Sequence, residues 1–136
     1  MREEEPDIRW KQRFQNFEKA YNLLTSAIGI TKPSETERAG LIQFFEMGFE
    51  LSWKMLKDFQ EAEGFQVKSP REAIKQAFQS GYIKNGHIWM DALKDRNLTV
   101  HTYEEKTAIE IESKIRNEYY TVLTNLYEDF KKKMEC

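Results

Sequence analysis

The sequence predicts an all-α chain folded as an antiparallel, up-and-down helical bundle of the four-helix-bundle type. Helix breakers are few, with 6 Gly and 3 Pro among 136 residues, against a usual combined share of about 12%. Valine, which strands favour, occurs only three times. Apolar residues recur at steps of three and four over long stretches, the spacing that lines one face of a helix.

The first helix is predicted over 10–28. Trp10, Phe14, Phe17, Tyr21, Leu24 and Ile28 form one apolar stripe. Lys11, Arg13, Gln15, Glu18 and Lys19 fill the wet face, and Gly29 followed by Pro33 ends the element. Three capping boxes then mark helix starts: Ser34 with Glu37, Ser69 with Glu72, and Thr102 with Glu105. In each, the hydroxyl accepts from a backbone amide three residues on, and the carboxylate reaches back to the amide of the cap. Pro70 stands at a first helical position, where its missing N–H costs nothing.

The second helix is predicted over 35–63, stopping at Gly64. It is apolar on two faces. Leu41, Phe44, Gly48, Leu51, Met55 and Phe59 make one, while Ile42, Phe45, Phe49, Trp53 and Leu56 make the other. Such a helix is either central in a bundle or shared with another chain. Gly40 and Gly48 sit in its interior at a cost of about 1 kcal/mol each relative to Ala, which suggests close helix packing. Short helices follow over 70–79 and 86–96. The last is predicted over 103–133, with Ala108, Ile111, Ile115, Tyr119, Val122 and Leu126 as its main stripe. A second stripe, Tyr120, Leu123, Tyr127 and Phe130, begins late. Three long helices and two short ones, joined by short loops, read as one domain over 1–136. The extra apolar stripes predict a second copy of the chain or a partner, because one small bundle has little use for them.

Composition narrows the function classes. Charged residues make up 32%, yet 9 Phe, 6 Tyr and 3 Trp are present. Disordered chains lack aromatics, so the charge belongs to a wet surface around a core. The net charge of −2 argues against a globally basic nucleic-acid binder, though a local patch is compatible with it. The single cysteine, Cys136, excludes an internal disulfide framework or a cysteine metal cluster, and fits a reducing cytoplasm. No apolar run approaches the roughly 18 residues of a membrane span, and the acidic Met1–Pro6 stretch is unlike a signal peptide. With two histidines, His87 and His101, there is little scope for a histidine metal site. No phosphate loop, dinucleotide fingerprint or nucleophile elbow occurs, and no cofactor is implied.

One segment could carry chemistry: Asp95-Arg96-Asn97-Leu98-Thr99-Val100-His101-Thr102-Tyr103, between the last two helices. Loops held by rigid helices commonly carry function. Arginine can clamp a phosphate and stabilise its transition-state charge. Histidine can take a proton from a ribose 2′-hydroxyl or give one to a leaving oxygen, with no metal required. The same residues also suit a plain structural role. Arg96 complements the negative end of a helix dipole, and His101 precedes a capping threonine.

Arg96, His101 and Tyr103 match the R-x4-H-x-Y motif of HEPN-domain proteins. The setting matches as well, with ALKDRNLTVHTYEEKTA between the last two helices and FFEMGFELSWKMLKDF in the long second helix. Over about Trp10 to Lys132 the chain resembles the subfamily called nucleotidyltransferase substrate-binding proteins. That resemblance implies an all-α bundle, usually a homodimer, encoded beside and bound by a minimal nucleotidyltransferase (MNT). Many such pairs are toxin–antitoxin modules in which the HEPN chain is a metal-independent ribonuclease. The MNT chain neutralises it by masking or by adding AMP to the motif tyrosine. Carried over, Arg96 is the phosphate clamp, His101 the acid/base, Asn97 a supporting residue and Tyr103 the AMP acceptor. The older family name implies instead a non-catalytic subunit that presents substrate to a catalytic MNT partner.

Overall fold

The structure, a computed structural model, describes residues 5–98 and 101–135. Readings that fall on Met1–Glu4, Thr99, Val100 and Cys136 lie outside the described residues. Helix α1 (Pro6–Ile28) has proline in its first turn and gives way to Gly29, whose amide donates to Thr25 O at 3.2 Å. Helix α2 (Glu35–Ala62) opens with a complete capping box. Ser34 Oγ accepts from the Glu37 amide at 3.1 Å, and Glu37 Oε1 accepts from the Ser34 amide at 2.9 Å. The turn after α2 passes through Gly64 at φ +96°, a conformation that side-chain-bearing residues resist.

Helix α3 (Pro70–Gln79) keeps half of its expected box. Ser69 Oγ accepts from the Glu72 amide at 3.1 Å, but the Glu72 carboxylate turns to the Lys68 amide at 2.7 Å. Helix α4 (Gly86–Leu98) runs two residues past the predicted end. The third box does not form. Helix α5 (Glu105–Lys114) starts three residues beyond Thr102, with Glu104 in the cap position and no side-chain capping bond. The local pattern was present there, but the chain from His101 instead turns so that the Glu104 amide donates to His101 O at 3.1 Å.

The predicted last helix is helical to Met134 but not uniform. A five-residue π-helical turn (Ile115–Tyr119) joins α5 to helix α6 (Tyr120–Met134). The second apolar stripe read from the sequence begins at Tyr120, where this wide turn ends.

Helix α2 is the centre of the bundle and packs against α1, α3, α4, α5 and α6. Both of its apolar faces are consumed inside the chain. Phe45, Met55 and Leu56 are fully enclosed, as are Phe17 and Leu24 of α1 and Phe130 of α6. Burial of side chains this size is worth about 1.5–3 kcal/mol each. Phe44, Leu51, Trp53, Tyr120 and Tyr127 are half-buried against the same core. Most of the surplus that suggested a second copy is thus used within the chain. Close packing also fails to explain Gly40, because a Cβ there would meet nothing within 4 Å. One at Gly48 would meet Leu123 Cδ1 at 4.0 Å, an ordinary contact.

A tyrosine seam closes α1 onto α6. Tyr21 stacks on Tyr127 at 4.5 Å and on Tyr120 at 5.6 Å between ring centroids. Tyr21 Oη pairs with Thr124 Oγ1 at 2.8 Å, Tyr120 Oη with Thr25 Oγ1 at 2.9 Å, and Tyr127 Oη donates to Glu18 at 2.6 Å. Among the described residues no helix is long and apolar enough to cross a membrane.

Candidate functional site

The candidate segment lies at the end of the bundle where α4 finishes and α5 begins. Arg96 stands in the last turn of α4, where a cation suits the dipole. Its guanidinium is half-buried, with Nε 3.7 Å from Glu50 Oε2 on α2. Glu50 in turn accepts from Trp53 Nε1 at 3.0 Å and lies 3.4 Å from Lys54 Nζ. Arg96 thus faces the central helix across a long ion pair.

Its neighbour Asp95 points inward. It is buried, accepts from Tyr119 Oη at 2.5 Å, and lies 3.3 Å from Lys114 Nζ. Burial, reinforced by the Asp95 hydrogen bond, pushes the Tyr119 phenol far above the usual tyrosine range. The last turn of α4 is therefore held by Tyr119 from the π-helical turn, with Glu50 of α2 facing it across a longer ion pair. Asn97, in the same turn, is exposed.

His101 and Tyr103 stand in solvent, Tyr103 at 80% exposure. Their rings are tilted at 55°, with centroids 6.4 Å apart. Tyr103 also lines a cleft of about 200 Å³ with Glu35, Arg38 and Ala39 of α2 and Thr102, Glu105 and Ala108. So the structure brings His101 and Tyr103 side by side in water, while Arg96 is half-buried against Glu50 of α2.

A second charged cluster supports this end of the bundle. Arg38 Nε donates to Glu112 Oε1 at 2.7 Å, and Arg116 Nε donates to Glu112 Oε2 at 2.8 Å. Arg116 also donates to the carbonyls of Ile28 at 2.8 Å and Ile30 at 2.7 Å, fastening the α1–α2 connection. Burial would raise the Glu112 carboxyl, but the hydrogen bonds from Arg38 and Arg116 outweigh it and hold the group below its ordinary value. Sequence reasoning missed Glu50, Arg38, Glu112 and Arg116. The spacing of Glu112 and Arg116 is a readable helical pair. Glu50 with Arg96 and Arg38 with Glu112 join distant segments, and no local pattern announces them. Among the described residues no group of three His, Cys, Asp or Glu side chains could hold a metal ion.

Residues 12–132 match the family described as nucleotidyltransferase substrate binding protein like. The chain belongs to that family. The resemblance carried by the R-x4-H-x-Y segment thus holds at family level. A Haemophilus influenzae relative called probable ribonuclease HepT is 30% identical over 86 residues, 60% of this chain and 59% of that protein. The chain therefore spans less than two thirds of that curated relative. A crystal structure of a Thermus thermophilus protein superposes with a TM-score of 0.77 at 32% identity, covering 83% of this chain and 97% of the other. A Haemophilus influenzae structure, described as the fold of a substrate binding domain of a nucleotidyltransferase, gives 0.76 at 25% identity over 87% and 98%.

Proposed function

We propose that the chain is the HEPN-type partner of a minimal nucleotidyltransferase and a metal-independent ribonuclease of a toxin–antitoxin pair. The carrying observation is the division of labour around the α4–α5 loop. Arg96 stands in the last turn of α4, whose Asp95 is fixed by Tyr119, while His101 and Tyr103 stand exposed with their rings 6.4 Å apart. In this reading Arg96 and Asn97 bind the scissile phosphate. His101 removes the ribose 2′-hydroxyl proton, and that oxygen attacks phosphorus to give a cyclic phosphate. The 5′-oxygen leaves with a proton from a second His101 across a homodimer axis. Tyr103 is the AMP acceptor. Its Oη attacks the α-phosphorus of ATP on the partner, pyrophosphate departs, and the phenolic proton is lost. RNA, ATP and the nucleotidyltransferase are thus the partners, and the compartment is cytoplasmic.

The test is cleavage of a short single-stranded RNA in EDTA. The expected result is cleavage by the wild type, lowered about 10²–10⁴-fold in His101→Ala and comparably impaired in Arg96→Ala. Equal rates in all three would overturn the ribonuclease reading.

A second reading is a non-catalytic subunit that presents substrate to the nucleotidyltransferase. It is favoured by the Glu50 carboxylate beside Arg96 and by the acidic rim of Glu104 and Glu105, which oppose a polyanion. No cleavage by any variant, with transfer by the partner stimulated by this chain, is its signature.

A further inference from the structure

We infer that Arg38 is the side chain that holds the phosphate of AMP-modified Tyr103, and that Glu105 occupies that place until modification. The inference rests on the reading of Tyr103 as the AMP acceptor. Tyr103, Arg38 and Glu105 line one cleft, formed between the first turns of α2 and α5. The two sides of the Arg38 guanidinium are held very differently. Its Nε bonds Glu112 at 2.7 Å, and Glu112 is itself fixed by Arg116 at 2.8 Å. Its Nη1 lies 3.9 Å from Glu105 Oε1, beyond hydrogen-bond range, and the Glu105 side chain is 60% exposed.

An ion pair this long and this wet contributes little, so Glu105 leaves readily. Arg38 stays, because its other side is locked. A phosphodiester carries the same single negative charge as the carboxylate it displaces. It offers two oxygens to a guanidinium edge, which makes a shorter, charge-assisted contact. The cleft, at about 200 Å³, is smaller than the roughly 300 Å³ at which ordinary ligand pockets begin. It suits the phosphate and part of the ribose, with the base outside. AMP then becomes a cover fixed against α2 rather than a loose tag on an exposed phenol.

The test uses the protein co-expressed with its nucleotidyltransferase as wild type, Arg38→Gln and Glu105→Gln. Mass spectrometry first locates the AMP, and the release rate by an added broad-specificity phosphodiesterase is then measured. The expected result is release about tenfold faster from Arg38→Gln, the effect of losing one charge-assisted hydrogen bond, and slower release from Glu105→Gln. Circular dichroism checks that Arg38→Gln is folded. If it is not, Glu105→Gln decides alone, since that residue lies outside the core. AMP on Tyr103 with equal release from the folded variants would overturn this inference and leave the acceptor reading intact. AMP absent from Tyr103 would overturn both.

Discussion

Tyr21, Tyr120 and Tyr127 line a seam between α1 and α6, stacked on one another and with every hydroxyl engaged by Thr124, Thr25 or Glu18. Tyr103 stands at the other extreme, 80% exposed beside an exposed His101. Two of the seam phenols, Tyr21 and Tyr127, are held back from ionising. Burial, with the neighbouring Tyr120, raises Tyr21, and the bond to Glu18 raises Tyr127. The same residue type is thus mortar in one region and an accessible hydroxyl in the other. The seam should govern stability with no effect on chemistry, and the loop should do the reverse.

The largest effect is expected on the seam side. Phe17, fully buried against Tyr21 and Tyr127, should cost about 3–5 kcal/mol on replacement by alanine, measured by denaturant unfolding. Retention of full stability would break the division. The next effect belongs to the charged cluster between the two regions. The Glu112 carboxyl is lowered in the folded chain, so its stabilisation is complete above the ordinary carboxylate range. It is lost as pH falls through the lowered folded value. Glu112→Gln should therefore be less stable at neutral pH by about 2 kcal/mol, below the figure for a fully buried pair. Its stability should also fall less than that of the wild type on acidification. A parallel acid limb in wild type and variant would remove Glu112 from the account. The smallest effect is expected in the loop. His101→Ala and Tyr103→Phe should each shift unfolding by no more than about 0.5 kcal/mol, the norm for exposed positions. A larger loss would make these residues structural.

The seam and the loop were also unequally legible in the sequence. The α1 stripe, the Ser34 box and the two apolar faces of α2 are periodic or local features, and the structure reproduces them because burial and capping act over a few residues. The Thr102 box had the right residues but lost to the turn made by the Glu104 amide and His101 O. The motif positions were readable as types and spacing. Their surroundings were not, since the Glu50–Arg96 ion pair and the Tyr119 grip on Asp95 arise only once α2, α4 and the last helix are side by side. The second stripe at Tyr120 is visible in the sequence, but the π-helical turn just before it has no residue signature.

That wide turn has one more consequence. A π-helical turn accommodates one residue beyond an α-helical count, and here it carries Arg116 near one end and Tyr119 at the other. Arg116 grips the connection after α1, and Tyr119 grips the last turn of α4. The α1–α2 connection and the last turn of α4, far apart along the chain, are thereby moored to the same five residues. A displacement of either mooring is borne by a segment whose hydrogen-bond ladder is already out of step with the helix on both sides. The bundle thus keeps its π-helical departure from regular helix at the point where the candidate site and the α1–α2 connection share a mechanical support.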